Sequence, residues 1–172
     1  MRATTTTGTT TFVRLETPVG RLVIGGDDDH LTHVLLPNAG GSATWARRSD
    51  GLHDRDLPAA VSAALRQIEE YLAGERRAFD LPLAPAGTEF QRHVWFALAD
   101  IPYGETVSYA ELAARVGRPR AFRAVGQANG ANPLPIVLPC HRVVASGGGI
   151  GGYGGGPDLK RRLLALEGAH RA

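Results

Sequence analysis

Ser108-Tyr109-Ala110-Glu111-Leu112-Ala113-Ala114-Arg115-Val116-Gly117-Arg118-Pro119-Arg120 reads as a helix, a stop and the entry to a second helix. Ser108 is placed to cap the first helix, and Glu111 three positions on completes a capping box. Tyr109, Leu112 and Ala113 supply its apolar contacts, and Gly117 closes it. Arg118-Pro119-Arg120 then leads into a second helix from about residue 120 to 129. Two short helices around a tight turn make a helix-turn-helix candidate. Arg115, Arg118, Arg120 and Arg123 crowd nine residues with more positive charge than solubility requires, which points to a polyanionic partner. Ala121, Ala124, Gly126, Ala128 and Gly130 leave the second helix small-sided. Such a face admits close approach of a bulky partner and favours minor-groove entry with an inserted side chain.

Upstream, Thr88 and Gln91 predict another capped helix, with Phe90, Val94, Trp95 and Leu98 as its apolar face and His93 at the surface. Downstream, the prolines of Asn132-Pro133-Leu134-Pro135-Ile136-Val137-Leu138-Pro139 predict a short extended run that delivers Cys140. The glycine-rich run from Gly147 to Gly156 lacks the Lys-Ser/Thr ending of a phosphate loop and the strand-turn-helix setting of a dinucleotide site. A final helix runs from Pro157 or Asp158 to Glu167, with Leu159, Leu163, Leu164 and Leu166 inward and Lys160, Arg161 and Arg162 outward.

The first half reads differently. Residues 1–11 are mostly threonine and predict a disordered tail. Phe12–Glu16, Arg21–Ile24 and Leu31–Leu36 predict an antiparallel meander. Residues 37–56 predict an irregular connection, Pro58 opens a helix through Val61, Leu65, Ile68 and Leu72, and Ala78–Leu81 predict one more strand. The fold class is therefore α+β. A small N-terminal antiparallel-sheet α/β domain (12–82) and a linker (83–87) precede a mostly helical C-terminal domain (88–172) containing the helix-turn-helix. No catalytic cluster stands out in the first domain, and its plainest role is support.

The 172 residues suffice for a core without metal or disulfide. Residues 1–87 carry 9 Lys/Arg against 11 Asp/Glu, and residues 88–172 carry 10 against 6, so the basic excess lies with the helix pair. No run is long enough for a membrane span and no signal-peptide core is present, which predicts a cytoplasmic protein. Asp27-Asp28-Asp29 lacks the spaced acceptors of a calcium loop, and His30, His33 and His53 do not compose a zinc site. No metal or cofactor is expected.

Cys140 is the single cysteine. It is either a small buried group or a nucleophile, and a nucleophile needs a base with an acidic orienter. His141 is adjacent, Arg142 follows, and Glu167 ends an apolar helix able to bury it. Cys-His-Glu is a sensible triad, open to three rival readings: a Cys-His hydrolase, a damaged-DNA binder that transfers nothing, and a DNA-binding protein with a core cysteine.

Pro139-Cys140-His141-Arg142-Val143, preceded by Arg123-Ala124-Val125-Gly126 through Asn132-Pro133 and by Val107-Ser108-Tyr109, resembles the O6-alkylguanine-DNA alkyltransferases, also called methylated-DNA–protein-cysteine methyltransferases. The likeness covers residues 88–168 closely and the N-terminal unit more loosely. It implies DNA repair by stoichiometric transfer of an alkyl group from O6-alkylguanine in double-stranded DNA to Cys140, with base flipping and self-inactivation; O4-alkylthymine is left open as a second substrate. By the same resemblance His141 is the base acting through a water, Glu167 orients it, and Asn132 braces the turn. Tyr109 bonds the flipped base near N3, and Arg123 is the finger that fills the vacated stack. The carbonyls of Cys140 and Val143 receive the guanine amino group, the Gly154 amide faces O6, and Pro135 and Tyr153 wall the alkyl pocket. Arg118, Arg120 and Arg142 join the DNA contacts. Binding is expected to be through the minor groove and largely independent of sequence. A monomer is expected, with cooperativity on DNA left open.

Overall fold

The computed structural model describes residues 10–37, 56–147 and 149–169. Residues 1–9 of the expected tail, His53 and residues 38–55 of the expected connection lie outside the described residues. The fold is α+β, with a small antiparallel sheet followed by a mostly helical C-terminal part.

Strands β1 (Thr11–Thr17), β2 (Gly20–Gly26) and β3 (Leu31–Leu35) pair in sequence order as an antiparallel meander. Alternation sets the register: Val13 faces Ile24 and Leu15 faces Leu22 across the first pair. Strand β1 opens at Thr11, so the ladder reaches one residue into the expected tail. The aspartate run is a turn that does more than meet solvent. Asp27 Oδ1 accepts from the amides of Asp29 (3.0 Å) and His30 (2.8 Å), and Asp28 Oδ1 accepts from the amide of Ala59 (3.1 Å) at the start of the next helix.

That helix, α1 (Ala59–Leu72), lies on the sheet and buries Val61, Ala64, Ile68 and Tyr71; Leu65 and Leu72 are only partly covered. The strand expected at Ala78–Leu81 does not form. Gln67 takes the place of a neighbouring strand, its side-chain amide donating to the Asp80 carbonyl (2.7 Å) and accepting from the Asp80 amide (2.8 Å). Pairing comes later and is brief, a single parallel bridge between Leu83 and Leu31.

Beyond it, α2 (Glu89–Ala99) and α3 (Tyr109–Arg115) both begin with the expected capping boxes, Thr88 with Gln91 and Ser108 with Glu111. Gly117, at φ +71°, ends α3 in the left-handed conformation that glycine adopts without strain. Helix α4 (Phe122–Gly130) completes the helix-turn-helix, two residues later than expected because residues 118–121 close a turn through Ala121 N to Arg118 O (2.8 Å). The last helix, α5 (Pro157–Leu166), hands its C-cap to Glu167.

Two features bring these parts to one place. Strands β4 (Val107–Ser108) and β5 (Val143–Val144) form a two-residue parallel ladder that ties the start of α3 to the segment after Cys140. Residues 132–139 form a compact turn and not the extended run expected. Asn132 closes it by donating to the Leu138 carbonyl (2.7 Å) and accepting from the Leu134 amide (2.9 Å), with Leu138 N to Leu134 O at 2.8 Å. Ile136 sits inside at φ +75°, a conformation a β-branched residue holds only when its surroundings impose it. One apolar cluster runs from Leu22 and Ile24 of the sheet through Trp95 and Val125 to Leu163. Among the described residues no helix is long and apolar enough to cross a membrane, and no three His, Cys, Asp or Glu side chains are grouped to hold a metal.

Candidate active site

Cys140 opens a 3-10 turn, Cys140–Arg142, whose first side chain forms part of the wall of a cavity of about 220 Å³. Tyr109, Asn132, Pro135, Tyr153 and Gly154, five of the residues singled out from the sequence, line that same cavity. Three constraints deliver them. Tyr109 is held opposite Cys140 by the β4–β5 ladder, Asn132 and Pro135 by the compact turn, and Tyr153 and Gly154 by the glycine-rich loop. Gly151, at φ +75°, passes so near Tyr109 that a Cβ there would stand 3.1 Å from the phenol oxygen. At Gly154 a Cβ would meet nothing within 4 Å, so a serine fits the same backbone.

Behind the cysteine lies a buried polar cluster centred on Glu167. Its Oε1 accepts from Tyr71 Oη (2.6 Å), His141 Nε2 (2.7 Å) and Arg142 Nη2 (3.0 Å), and its Oε2 accepts from Arg142 Nε (2.9 Å) and Gly104 N (3.2 Å). Burial alone would raise the Glu167 pKa, but the His141 and Arg142 hydrogen bonds outweigh it and bring it to about 2. An ionised carboxylate can only accept, so His141 presents Nε2–H to it. Burial, partly opposed by Glu167, lowers the His141 pKa, which keeps the ring neutral with the lone pair on Nδ1. That Nδ1 is buried and has no protein hydrogen-bond partner. The histidine is thus oriented as a base.

Burial pushes the Cys140 thiol up to about 11, against the opposing pull of the Asn132 side chain, the Lys160 ammonium and the amides of Cys140 and His141. At neutral pH the resting sulfur is therefore overwhelmingly the protonated thiol. Iodoacetamide labelling of this single thiol is therefore expected to accelerate about tenfold per pH unit and still be climbing at about pH 9.5. Lys160→Met should slow it further below about pH 8, where the Lys160 amine, brought down to about 8 by burial, still carries its charge. A plateau near the ordinary thiol value would contradict this picture.

Three expectations need correction. Arg142, expected among the DNA contacts, turns inward: its guanidinium grips Glu167 and the Ile101 carbonyl, because an isolated buried carboxylate would be far too costly. Lys160, expected to point outward, is fully buried, with Nζ donating to the carbonyls of Val143 (2.6 Å) and Gly152 (3.2 Å). The Val143 carbonyl is thereby already engaged on one side. The N-terminal half is more than support, since Tyr71 of α1 reaches the Glu167 carboxylate and lies 3.3 Å from His141 Nε2. Asn129 was also missed: it lines the cavity with a buried Oδ1 that has no protein partner. Arg118, Arg120 and Arg123 stand apart from the cavity, exposed on the helix-turn-helix. The lysine had a readable signal, being the only one in a chain whose other eighteen Lys/Arg positions are all arginine.

Comparison with known proteins agrees over both halves. The family model described as "6-O-methylguanine DNA methyltransferase, DNA binding domain" matches residues 89–169, and that for its ribonuclease-like domain matches residues 10–85. A methylated-DNA–protein-cysteine methyltransferase of Methanosarcina acetivorans is 42% identical over 162 residues, covering 92% of this chain and 98% of that protein. One from Mycolicibacterium paratuberculosis is 46% identical over 156 residues, covering 91% of each. Among solved structures, Mycobacterium tuberculosis OGT in complex with DNA superposes with TM-score 0.80 at 43% identity, covering 91% of this chain and 92% of that one.

Proposed function

The chain belongs to the O6-alkylguanine-DNA alkyltransferases, single-turnover enzymes that repair O6-alkylguanine by moving the alkyl group onto a cysteine of their own, and from that premise we propose that Cys140 is the acceptor and the 220 Å³ cavity the seat of the flipped base. The observation that carries the assignment is the convergence of the only thiol and five other sequence-selected residues on one cavity backed by a neutral, carboxylate-oriented histidine. His141 Nδ1 takes the thiol proton through a water. The thiolate attacks the alkyl carbon in line, the S–C bond forms as the C–O6 bond breaks, and the released electron pair stays on the purine. The purine then takes up one proton, balancing the one lost by sulfur. Tyr109 hydrogen-bonds the base near N3, the Cys140 carbonyl and the free side of the Val143 carbonyl meet its amino group, and the Gly154 amide faces O6. Alkylated cysteine has no route back, which makes each molecule act once.

The alkyl carbon is out of reach in a stacked duplex, so the base must leave it at a cost of a few kcal/mol. Arg123, exposed on α4, fills the space, and Arg118 and Arg120 contact phosphates. Among the described residues none of these three is ion-paired, so all remain available to DNA. Minor-groove docking of α4 and indifference to sequence follow from its small side chains and from contacts made to the backbone.

Intact-mass analysis after incubation with O6-methylguanine duplex tests the reading. The expected result is one methyl group per molecule, located by fragmentation at Cys140. No gain would defeat transfer, and repair exceeding one lesion per molecule would defeat single use. Arg123→Ala is expected to slow repair of the duplex by about 10²-fold, the rate equivalent of a few kcal/mol of extrusion, and to leave transfer from free O6-benzylguanine unchanged. Equal losses on both substrates would sink the finger role.

A further inference from the structure

Phe122 and Phe96 are the exposed large apolar side chains among the described residues, at 48% and 45%. An isolated exposed aromatic needs no explanation by itself. Phe122 differs in its setting. It is the first residue of α4, it directly precedes Arg123, and the Arg123 guanidinium lies over its ring, 5.9 Å from the centroid. Its neighbours along the chain are small or cationic, with Ala121 before it, Arg123 and Ala124 after it, and the exposed Arg118 and Arg120 a little upstream.

We propose that Phe122 is a second DNA-contacting wedge, entering the minor groove of the lesion-bearing duplex beside Arg123 and packing its ring on deoxyribose and base edges next to the vacated position. The proposal rests on the DNA-repair reading given above and adds to it a residue with no role in the chemistry.

Three arguments converge on that occupant. First, an apolar ring among arginines is poorly suited to another protein's apolar face, because docking there would bury the arginines without partners. A nucleic-acid groove supplies both halves of the match, phosphates for the cations and sugar edges for the ring. Second, minor-groove proteins that unstack bases do so with inserted apolar side chains, and unstacking is what extrusion of an alkylated base requires. Third, a guanidinium resting on an aromatic face is restrained before DNA arrives. Phe122 therefore presents the Arg123 finger in a narrowed set of rotamers, and it reaches the groove whenever Arg123 does.

The test compares Phe122→Ala and Phe122→Leu with the unchanged protein on two substrates, an O6-methylguanine duplex and free O6-benzylguanine. Phe122→Ala is expected to slow single-turnover repair of the duplex by about tenfold, with Phe122→Leu between the two. Transfer from the free base and the thermal midpoint should not change, because an exposed side chain outside the cavity supports neither. The salt dependence of duplex binding should keep its slope in Phe122→Ala and lose about one unit in Arg120→Ala, since only the arginine displaces a counterion. Fluorescence of 2-aminopurine paired opposite the neighbouring position should report weaker unstacking in Phe122→Ala. Duplex repair at the wild-type rate would overturn the proposal, as would parallel losses on duplex and free base, which would mark Phe122 as structural. Failure of the unchanged protein to repair duplex would instead bring down the functional reading beneath it.

Discussion

Cys140→Ser is expected to abolish alkyl transfer, slowing it by about 10⁴-fold or more, while affinity for the lesion-bearing duplex stays within about threefold. The reason lies in what surrounds the sulfur. Even with Asn132, Lys160 and two backbone amides favouring the anion, burial holds the thiol at about 11. A hydroxyl starts several pKa units higher, so the same surroundings leave it with no useful alkoxide population. Oxygen also lacks the polarizability that makes sulfur a good nucleophile toward saturated carbon. DNA affinity should survive because the arginines offered to the duplex are exposed on the helix-turn-helix and away from Cys140. The extra buried hydroxyl costs about 1–3 kcal/mol, so circular dichroism must first establish that the variant is folded. Wild-type transfer by the serine variant would remove Cys140 from the chemistry altogether.

How far this site could be read from the chain depends on which forces build each part of it. Capping signals are local, and both boxes, Thr88 with Gln91 and Ser108 with Glu111, form where the sequence places them. The histidine–carboxylate pair was legible because a lone cysteine, its adjacent histidine and a carboxylate closing an apolar helix are chemically unusual company, and the geometry joins His141 to Glu167. Long-range polar satisfaction was not legible. Tyr71 lies 96 residues before Glu167, and nothing in the periodicity of α1 separates a tyrosine that fills core from one whose hydroxyl closes a buried polar cluster. Lys160 defeats the rule that charged residues on a helix face outward, because two backbone carbonyls turned toward it satisfy its ammonium. The turn at 132–139 departs from the expected extended run for a related reason. Proline restricts the chain without saying which way it folds, and here the Asn132 side chain decides by bonding both ends. Gln67 does likewise at Asp80, replacing a strand partner that composition alone suggested.

Glu167→Gln is expected to damage both stability and transfer, because five donors converge on a carboxylate that an amide cannot replace. The variant leaves the Arg142 guanidinium buried beside a neutral group and turns an N–H toward donors. Breaking a buried pair in this way costs about 3–5 kcal/mol, which should lower the thermal midpoint by about 10 °C in a chain of this length. The acid behaviour is a sharper test. Glu167 in the fold titrates near 2 against an ordinary 4.5, so its ionised form contributes about 3 kcal/mol that is fully present above pH 4.5 and is lost as pH falls toward 2. His141 acts in the same direction: held neutral with a pKa below 6.5, it withdraws stability as pH falls beneath that value. Urea midpoints of the unchanged protein should therefore decline from about pH 6.5 downward, and Glu167→Gln should lose the part of that decline between about pH 4.5 and 2. Transfer from free O6-benzylguanine should fall by about 10²-fold at neutral pH, since His141 is no longer fixed with Nδ1 as its basic atom. Glu167→Asp, which retains the charge at a shorter reach, should recover part of the rate and restore the acid-sensitive step. A glutamine variant with wild-type urea midpoints at pH 7 would show that the buried carboxylate holds neither Arg142 nor His141 in place.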